Sequence, residues 1–199
     1  MNMPTLPTNL LDQLQTALQN AIDHELPEPN AMTVASCGSD GRLSARTVLI
    51  KHIDEQGVVF YTNMNSNKGR QLQENPRIAA CILWRELQQQ ILLEGVVTAV
   101  SDADADAYFA TRPRISQLGA WASQQSSTLG SRAELEQALQ HYTEKFAGVE
   151  VPRPQHWSGF CIQPDMIEFW QGREFRLHDR SRWELDADSG TWNSRLLYP

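Results

Sequence analysis

The sequence predicts an α+β protein, mainly antiparallel β, in which a barrel or sheet is flanked by helices. Two observations support this fold class. Apolar and polar residues alternate over several short segments separated by turn residues, whereas helical spacing is confined to a few stretches around them. A length of 199 residues suits a single domain with a sizeable hydrophobic core.

The first half of the chain begins with a helix and then turns to strands. Residues 8–24 place apolar side chains at helical intervals, which predicts an amphipathic helix within an N-terminal helical segment, residues 1–28. Residues 29–199 then form the main domain. Residues 66–76 form a short helix between strands. The predicted strands in this half are 31–37, 45–53, 58–63 and 77–84.

The second half adds a long strand over 88–100 and three helices over 102–112, 113–123 and 132–147. Serine residues in favourable positions mark where three helices begin, because a serine hydroxyl accepts a hydrogen bond from the first turn. These predicted caps are Ser66, Ser101 and Ser131. The end of the chain returns to strands, predicted over 158–164, 166–172, 175–185 and 191–199.

Charge and residue content exclude several classes of partner. A net charge of −7 argues against a nucleic-acid or anionic-membrane surface, so a bound anion needs a few cations converging in a pocket. The absence of a long apolar run and of a signal peptide predicts a cytoplasmic protein without a membrane partner. Three scattered cysteines and five histidines without ligand spacing predict neither a disulfide nor a metal site.

Near the C-terminus, residues 169–180 bring together Arg176, Arg180, His178 and the indole of Trp170. This mixture suits a flat, phosphorylated aromatic ligand, because guanidinium groups bind phosphate and rings stack. The alternative is a solvated strand end whose arginines meet surface carboxylates. The cluster alone does not decide between these interpretations.

Seven segments occur in order: RTVLIK (46–51), FYTN (60–63), SNKGRQLQENPR (66–77), YFATRPRISQLGAWAS (108–123), QS (125–126), FWQG (169–172) and RLHDR (176–180). Together they resemble the pyridoxamine (pyridoxine) 5′-phosphate oxidase family over residues 30–199. The resemblance implies an FMN-binding split β-barrel with flanking helices, assembled as a homodimer with FMN at the interface. It also implies oxidation of pyridoxamine 5′-phosphate and pyridoxine 5′-phosphate by oxygen to pyridoxal 5′-phosphate, with release of hydrogen peroxide.

The resemblance also implies a set of cofactor-binding residues. Arg46 and Lys68 meet the FMN phosphate, the backbone of the 46–51 strand follows the isoalloxazine, and three later residues face the ring system. The full set is Arg46, Thr47, Val48, Leu49, Ile50, Lys51, Tyr61, Thr62, Lys68, Gln90, Gln125, Ser126, Trp170 and Arg180. Thr62 and Ser126 also suit an ordinary strand residue and a loop hydroxyl, and Trp170 also suits core packing.

Substrate-binding residues follow from the same resemblance. The substrate phosphate is assigned to Lys51, Tyr108, Arg112 and Ser116. Tyr108 and Arg112, four positions apart, are expected on one helix face. Arg176 and His178 are assigned as the catalytic pair that covers the pyridine ring, and their spacing within a predicted strand puts them on one face. His178, water and the substrate phenolate all remain candidates to accept the proton.

This chain departs from the family pattern at two positions. Asn67 and Gln89 stand where arginine is common, so the FMN phosphate site loses one cation, unless Arg70 or Arg42 fills that space. Two other functions remain open. One is a related split-barrel flavin oxidase that acts on another aromatic substrate, and the other is a non-catalytic carrier of FMN or pyridoxal phosphate. The intact substrate-binding residues argue against a carrier.

Overall fold

The computed structural model describes residues 5–199, and its centre is a closed antiparallel barrel of six strands. Neighbouring strands follow the order β3-β2-β1-β4-β5-β6, and pairing of β3 with β6 closes the barrel. Two further strands, β7 and β8, extend the sheet from β6. The strands are β1 Ala31–Cys37, β2 Leu43–Asp54, β3 Gly57–Asn63, β4 Arg77–Trp84, β5 Gln89–Ala99, β6 Trp157–Gln171, β7 Asp179–Leu185 and β8 Trp192–Leu196.

Strand β4 shows why these segments form a barrel. Ile78, Ile82 and Trp84 are buried in the core, while Arg77, Ala79 and Leu83, each next to a buried residue, are exposed. Alternation of this kind places one face of each strand toward the interior and the other toward solvent or helices. The predicted fold class, mainly antiparallel β with flanking helices, is confirmed.

Within residues 5–199, five α-helices surround the barrel: α1 Thr8–Asp23, α2 Asn67–Glu74, α3 Asp102–Thr111, α4 Arg114–Ala122 and α5 Arg132–Lys145. Leu10 and Leu14 of α1 are fully buried in the same core cluster as the barrel strands. The boundary between residues 28 and 29 stays a prediction. No helix within residues 5–199 has the length and apolar character needed to cross a membrane.

The serine caps predicted from the sequence are confirmed. Ser66, Ser101 and Ser131 each adopt extended backbone geometry immediately before a helix, and each hydroxyl accepts a hydrogen bond from a backbone N–H in the first turn. These bonds satisfy donors that a helix start otherwise leaves without partners. The starts of α2, α3 and α5 are therefore set by local sequence.

The strands predicted separately over 158–164 and 166–172 form one continuous strand, β6. Pro164 lies within it, opposite Gly95 of β5, where the register between the two strands shifts. A proline lacks the N–H that a regular ladder requires, so an irregularity in pairing accommodates it. Strand β6 therefore continues through the proline as one strand of 15 residues.

The strand predicted over 175–185 begins only at Asp179, so the prediction that Arg176 and His178 share one strand face is wrong. Residues Glu174–Arg176 form a short 3₁₀ turn, in which Phe175 and Arg176 have φ angles of 56° and 62°. The chain must reverse here because β6 and β7 pair antiparallel. The alternating sequence of this segment therefore belongs partly to a hairpin turn.

Candidate active site

A cavity of about 620 Å³ lies where β2, β3 and the start of β6 meet α3 and α4. Its volume is in the range of small-ligand sites. Most residues that the sequence resemblance assigned to cofactor or substrate lie on its wall. They are Thr47, Val48, Leu49, Lys51, Tyr61, Thr62, Lys68, Tyr108, Arg112, Ser116 and Gln125.

Lys68 lies on the wall of this first cavity, in the first turn of α2. Its Nζ donates to Thr62 Oγ1 at 3.1 Å and to Gln125 Oε1 at 3.0 Å. The next residue, Gly69, packs so closely that an added Cβ would lie 2.4 Å from the Met64 carbonyl oxygen. This close approach places the first turn of α2, and with it the buried Lys68, directly against β3.

The electrostatics around Lys68 favour an anion. Burial, followed by the charge of Arg46, lowers the pKa of the Lys68 ammonium below its ordinary value. Within residues 5–199, no carboxylate lies at ion-pairing distance from Lys68. A buried cation held only by neutral oxygen atoms is costly, so a bound phosphate would stabilise it.

The loop before α5 adds polar groups beside Lys68. Ser126 adopts a φ of 71°, and its Oγ accepts a hydrogen bond from the Asn67 N–H at 3.3 Å. Arg70 Nη2 donates to Asn67 Oδ1 at 2.6 Å. Of the two arginines considered as replacements for the missing cation, Arg70 is therefore the one bonded to Asn67.

Two predicted cofactor residues of β2 are not on the cavity wall. Arg46 Nη1 donates to Ser36 Oγ at 2.6 Å, and its Nη2 donates to Ser44 Oγ. Ile50 is 3% exposed and belongs to the barrel core. Arg46 nevertheless lies close enough to Lys68 for its charge to lower the pKa of that lysine.

Two further cations, Arg112 and Lys51, line the same cavity. The prediction that Arg112 shares a helix face with Tyr108 is wrong, because α3 ends at Thr111 and Arg112 is extended. Tyr108 and Arg112 nevertheless both line the cavity, and Lys51 Nζ lies 5.9 Å from the centre of the Tyr108 ring. Arg112 Nη1 is buried without a hydrogen-bond partner in the part of the chain that the structure describes.

Three aromatic rings with nearly parallel planes pack together beside these cations. The ring centres are 4.2 Å apart for Tyr61 and Tyr108, 5.2 Å for Tyr61 and Trp157, and 6.1 Å for Tyr108 and Trp157. The Arg112 guanidinium lies 4.7 Å from the centre of the Trp157 ring. Trp157 was not predicted as a site residue, because no local motif marks a residue whose partners come from distant segments. Cation–π contact and ring stacking hold Arg112 in place.

Gln90, Trp170 and Arg180 form a second group. They are direct neighbours across β5, β6 and β7, and they line a second cavity of about 630 Å³ that α1 also borders. Arg180 donates from Nε and Nη2 to the buried carboxylate of Glu168, at 2.8 and 3.1 Å. Arg182 binds the same carboxylate at 2.8 Å.

Opposing effects act on the pKa of Glu168. Burial alone raises it, but the hydrogen bonds and charges of Arg180 and Arg182 together outweigh burial and lower it. Glu168 therefore stays ionised and fixes the direction of the Arg180 side chain.

Arg176 and His178 lie at the tip of the β6–β7 hairpin and line neither cavity. Arg176 is exposed, and the His178 ring centre is 4.6 Å from that of Trp170. His178 Nδ1 accepts a hydrogen bond from the Arg173 N–H at 3.1 Å. A neutral His178 in this geometry carries its proton on Nε2.

The two groups of residues lie near opposite ends of β6. Trp157 supports the first cavity and Trp170 belongs to the second group. At roughly 3.3 Å per residue, the strand between these two tryptophans covers about 40 Å. One protomer therefore presents two separate groups of candidate site residues.

The protein has the split-barrel fold. One solved structure, a pyridoxamine 5′-phosphate oxidase-related, FMN binding protein from Nostoc punctiforme PCC 73102, superposes with a TM-score of 0.75 at 16% identity, covering 94% of this chain and 96% of that chain. This likeness shows the fold.

Sequence comparison is more specific. Residues 18–146 match the pyridoxamine 5′-phosphate oxidase family model, and residues 157–199 match the pyridoxine 5′-phosphate oxidase C-terminal dimerisation region. The chain belongs to the pyridoxine/pyridoxamine 5′-phosphate oxidase family.

Individual relatives agree with this assignment. A pyridoxine/pyridoxamine 5′-phosphate oxidase of Xanthomonas euvesicatoria pv. vesicatoria (strain 85-10) is 54% identical over 87% of this chain and 88% of its own. The protein of that name from Myxococcus xanthus (strain DK1622) is 48% identical over 98% and 93%. PhzG from Burkholderia lata 383, solved with tetrahydrophenazine-1-carboxylic acid, is 30% identical, with a TM-score of 0.89 and full coverage of both chains.

Proposed function

We propose that the protein is an FMN-dependent oxidase that converts pyridoxamine 5′-phosphate and pyridoxine 5′-phosphate to pyridoxal 5′-phosphate, with oxygen as oxidant and hydrogen peroxide as product. One observation carries this proposal. Three cationic side chains, Lys68, Lys51 and Arg112, line the first cavity, and none forms an ion pair within the described residues. They form two sets, because Lys68 is bonded to Thr62 and Gln125, whereas Lys51 and Arg112 lie against the rings of Tyr108 and Trp157. Two such sets suit two phosphates, one of FMN and one of the substrate.

The residues around Lys68 fit the phosphate of FMN. Lys68 supplies a point charge, Thr62 and Gln125 supply polar side chains already directed at its ammonium, and Arg46 adds positive charge nearby. Ser126 extends this polar rim through its bond to α2. When bound, FMN supplies a redox-active ring that takes up a hydride and passes electrons to oxygen.

Arg112, Lys51 and Ser116 fit the substrate phosphate. Arg112 offers a buried donor, Nη1, that has no partner among residues 5–199, and Lys51 adds a second cation across the Tyr108 ring. Ser116 contributes a hydroxyl on the same wall. Phosphate binding by these residues fixes the position of the pyridine ring relative to the cavity, which supplies the proximity that hydride transfer requires.

We infer that the complete site forms between two protomers of a homodimer. The second group and the hairpin tip both lie within residues 157–199, apart from Gln90, and that range matches the dimerisation region. Phe175 and Leu177 at the tip are 87% and 67% exposed, which suits burial against a partner. In the dimer, Arg176 and His178 of one protomer cover the substrate ring held by the other.

A related flavin oxidase is the second candidate, because PhzG superposes over the full length of the chain. The ligand of that structure carries a carboxylate and no phosphate. A phosphate carries more negative charge than a carboxylate, and Lys51 and Arg112 together provide two positive charges to bind it. This difference favours the vitamin B6 phosphates.

A turnover assay tests the proposal. Purified protein loaded with FMN receives pyridoxamine 5′-phosphate in air, and pyridoxal 5′-phosphate and hydrogen peroxide are measured together. We expect both products in equal amounts, and a kcat/KM at least about a hundredfold lower for pyridoxamine without its phosphate. Equal kcat/KM values for the two amines, or no turnover of either, would contradict the proposed substrate class.

A further inference from the structure

Arg153 lies outside both cavities, in the loop before β6, yet it is bonded on three sides. Its side chain is 10% exposed. Nε donates to Asp106 at 2.6 Å, Nη2 donates to Asp102 at 2.7 Å, and Nη1 donates to the Trp157 carbonyl oxygen at 2.8 Å. One guanidinium therefore joins α3 to the first residue of β6.

Both elements joined by Arg153 hold substrate-side residues. Tyr108 lies near the end of α3, and Arg112 follows directly after that helix. Trp157 provides the ring on which Arg112 lies, at 4.7 Å. Arg153 therefore fixes the helix that leads to Arg112 and also the backbone of the tryptophan beneath Arg112.

The position of Arg112 is sensitive to the orientation of α3. Val100, just before the helix, donates to the Gly159 carbonyl oxygen at 3.0 Å, which ties the start of α3 to β6. A helix of ten residues is about 15 Å long, so a rotation of about 4° moves its far end by about 1 Å. A displacement of that size at a substrate-binding group is large enough to weaken binding severely.

We propose that Arg153 is a positioning residue for the residues that bind the substrate phosphate. It acts through α3 and Trp157 on Tyr108 and Arg112. This inference rests on the proposed substrate. Asp102 and Asp106 are 87% and 63% exposed, so water solvates their carboxylates when Arg153 is replaced. The Arg153→Ala variant is therefore expected to fold.

The test measures binding of pyridoxal 5′-phosphate to FMN-loaded protein, and kcat/KM for pyridoxamine with and without its phosphate. For Arg153→Ala we expect about tenfold weaker binding and about tenfold lower kcat/KM with the phosphorylated amine. FMN affinity should stay unchanged, because Lys68 lies on α2, whereas Arg153 bonds to α3 and β6. The low activity with pyridoxamine should also stay unchanged, because that amine has no phosphate. Arg153→Lys should recover part of the loss, since a lysine keeps the charge but not the fork.

Arg132→Ala is the matched control, because Arg132 forms an exposed ion pair with Glu136 on α5, and it should leave every value unchanged. Unchanged pyridoxal 5′-phosphate binding in both Arg153 variants would overturn the inference. A loss of equal size for both amines, or a parallel loss of FMN, would also overturn it, because it would indicate general structural damage. If Arg153→Ala does not fold, the binding measured with Arg153→Lys decides. A wild-type protein that neither binds nor oxidises phosphorylated ligands would instead contradict the proposed function.

Discussion

Replacing Arg112 with alanine is expected to lower kcat/KM for pyridoxamine 5′-phosphate by about tenfold to a hundredfold. The Arg112 guanidinium is held over Trp157 with Nη1 buried and unpaired among the described residues. It can therefore give a charge-assisted hydrogen bond worth roughly 1.5–3 kcal/mol, with little reorganisation. Most of the loss should appear as a higher KM.

The same variant should lose little activity with pyridoxamine that lacks the phosphate, because the missing contact is to the phosphate. Its affinity for FMN should equal that of the wild type. Arg132→Ala again provides an exposed arginine as control. Loss of FMN with an unchanged KM would show that the two phosphate sites are assigned in the wrong order.

Replacing Lys68 with methionine is expected to weaken FMN binding by about tenfold to a hundredfold. Methionine keeps much of the alkyl chain but removes the ammonium that Thr62 and Gln125 surround, and with it a charge-assisted contact of roughly 1.5–3 kcal/mol. Titration of apoprotein with FMN, followed by flavin fluorescence, measures the change. Lys145→Met is the control, because Lys145 is exposed on α5.

The pH dependence of FMN binding gives a second readout for Lys68. Burial, followed by the charge of Arg46, lowers the pKa of Lys68, so this lysine loses its charge at a lower pH than an ordinary lysine. FMN affinity of the wild type should therefore fall as the pH rises toward that lowered pKa, whereas the methionine variant should lack this fall. Equal affinities of the two proteins throughout would contradict a phosphate contact at Lys68.

The sequence predicted the barrel strands well, because alternation and turn residues are local signals. Strand β1 has the predicted bounds, 31–37, and the serine caps lie where predicted. The hairpin tip was missed because Phe175–Asp179 alternates like a strand, although antiparallel pairing of β6 and β7 requires a reversal there.

Site residues were predictable only through the family resemblance, and their arrangement was not. The row formed by Gln90, Trp170 and Arg180 depends on the register of three strands, which a sequence does not display. Trp157 and Arg153 were missed because each acts on residues that are distant in the sequence. Long-range packing, rather than any local motif, brings these groups together.

The division of the site between two protomers is tested most directly with a heterodimer. One protomer carries Lys51→Ala with Arg112→Ala, and the other carries Arg176→Ala. Co-expression with two different tags allows the mixed dimer to be purified, and kcat/KM for pyridoxamine 5′-phosphate is compared with both parent homodimers and the wild type. If each site combines the first cavity of one protomer with the hairpin tip of its partner, one site carries all three substitutions and the other is intact.

We therefore expect about half of the wild-type kcat/KM from the mixed dimer and little activity from either parent. If both groups came from the same protomer, each site of the mixed dimer would carry one set of substitutions. A mixed dimer as inactive as its parents would contradict a site shared between protomers.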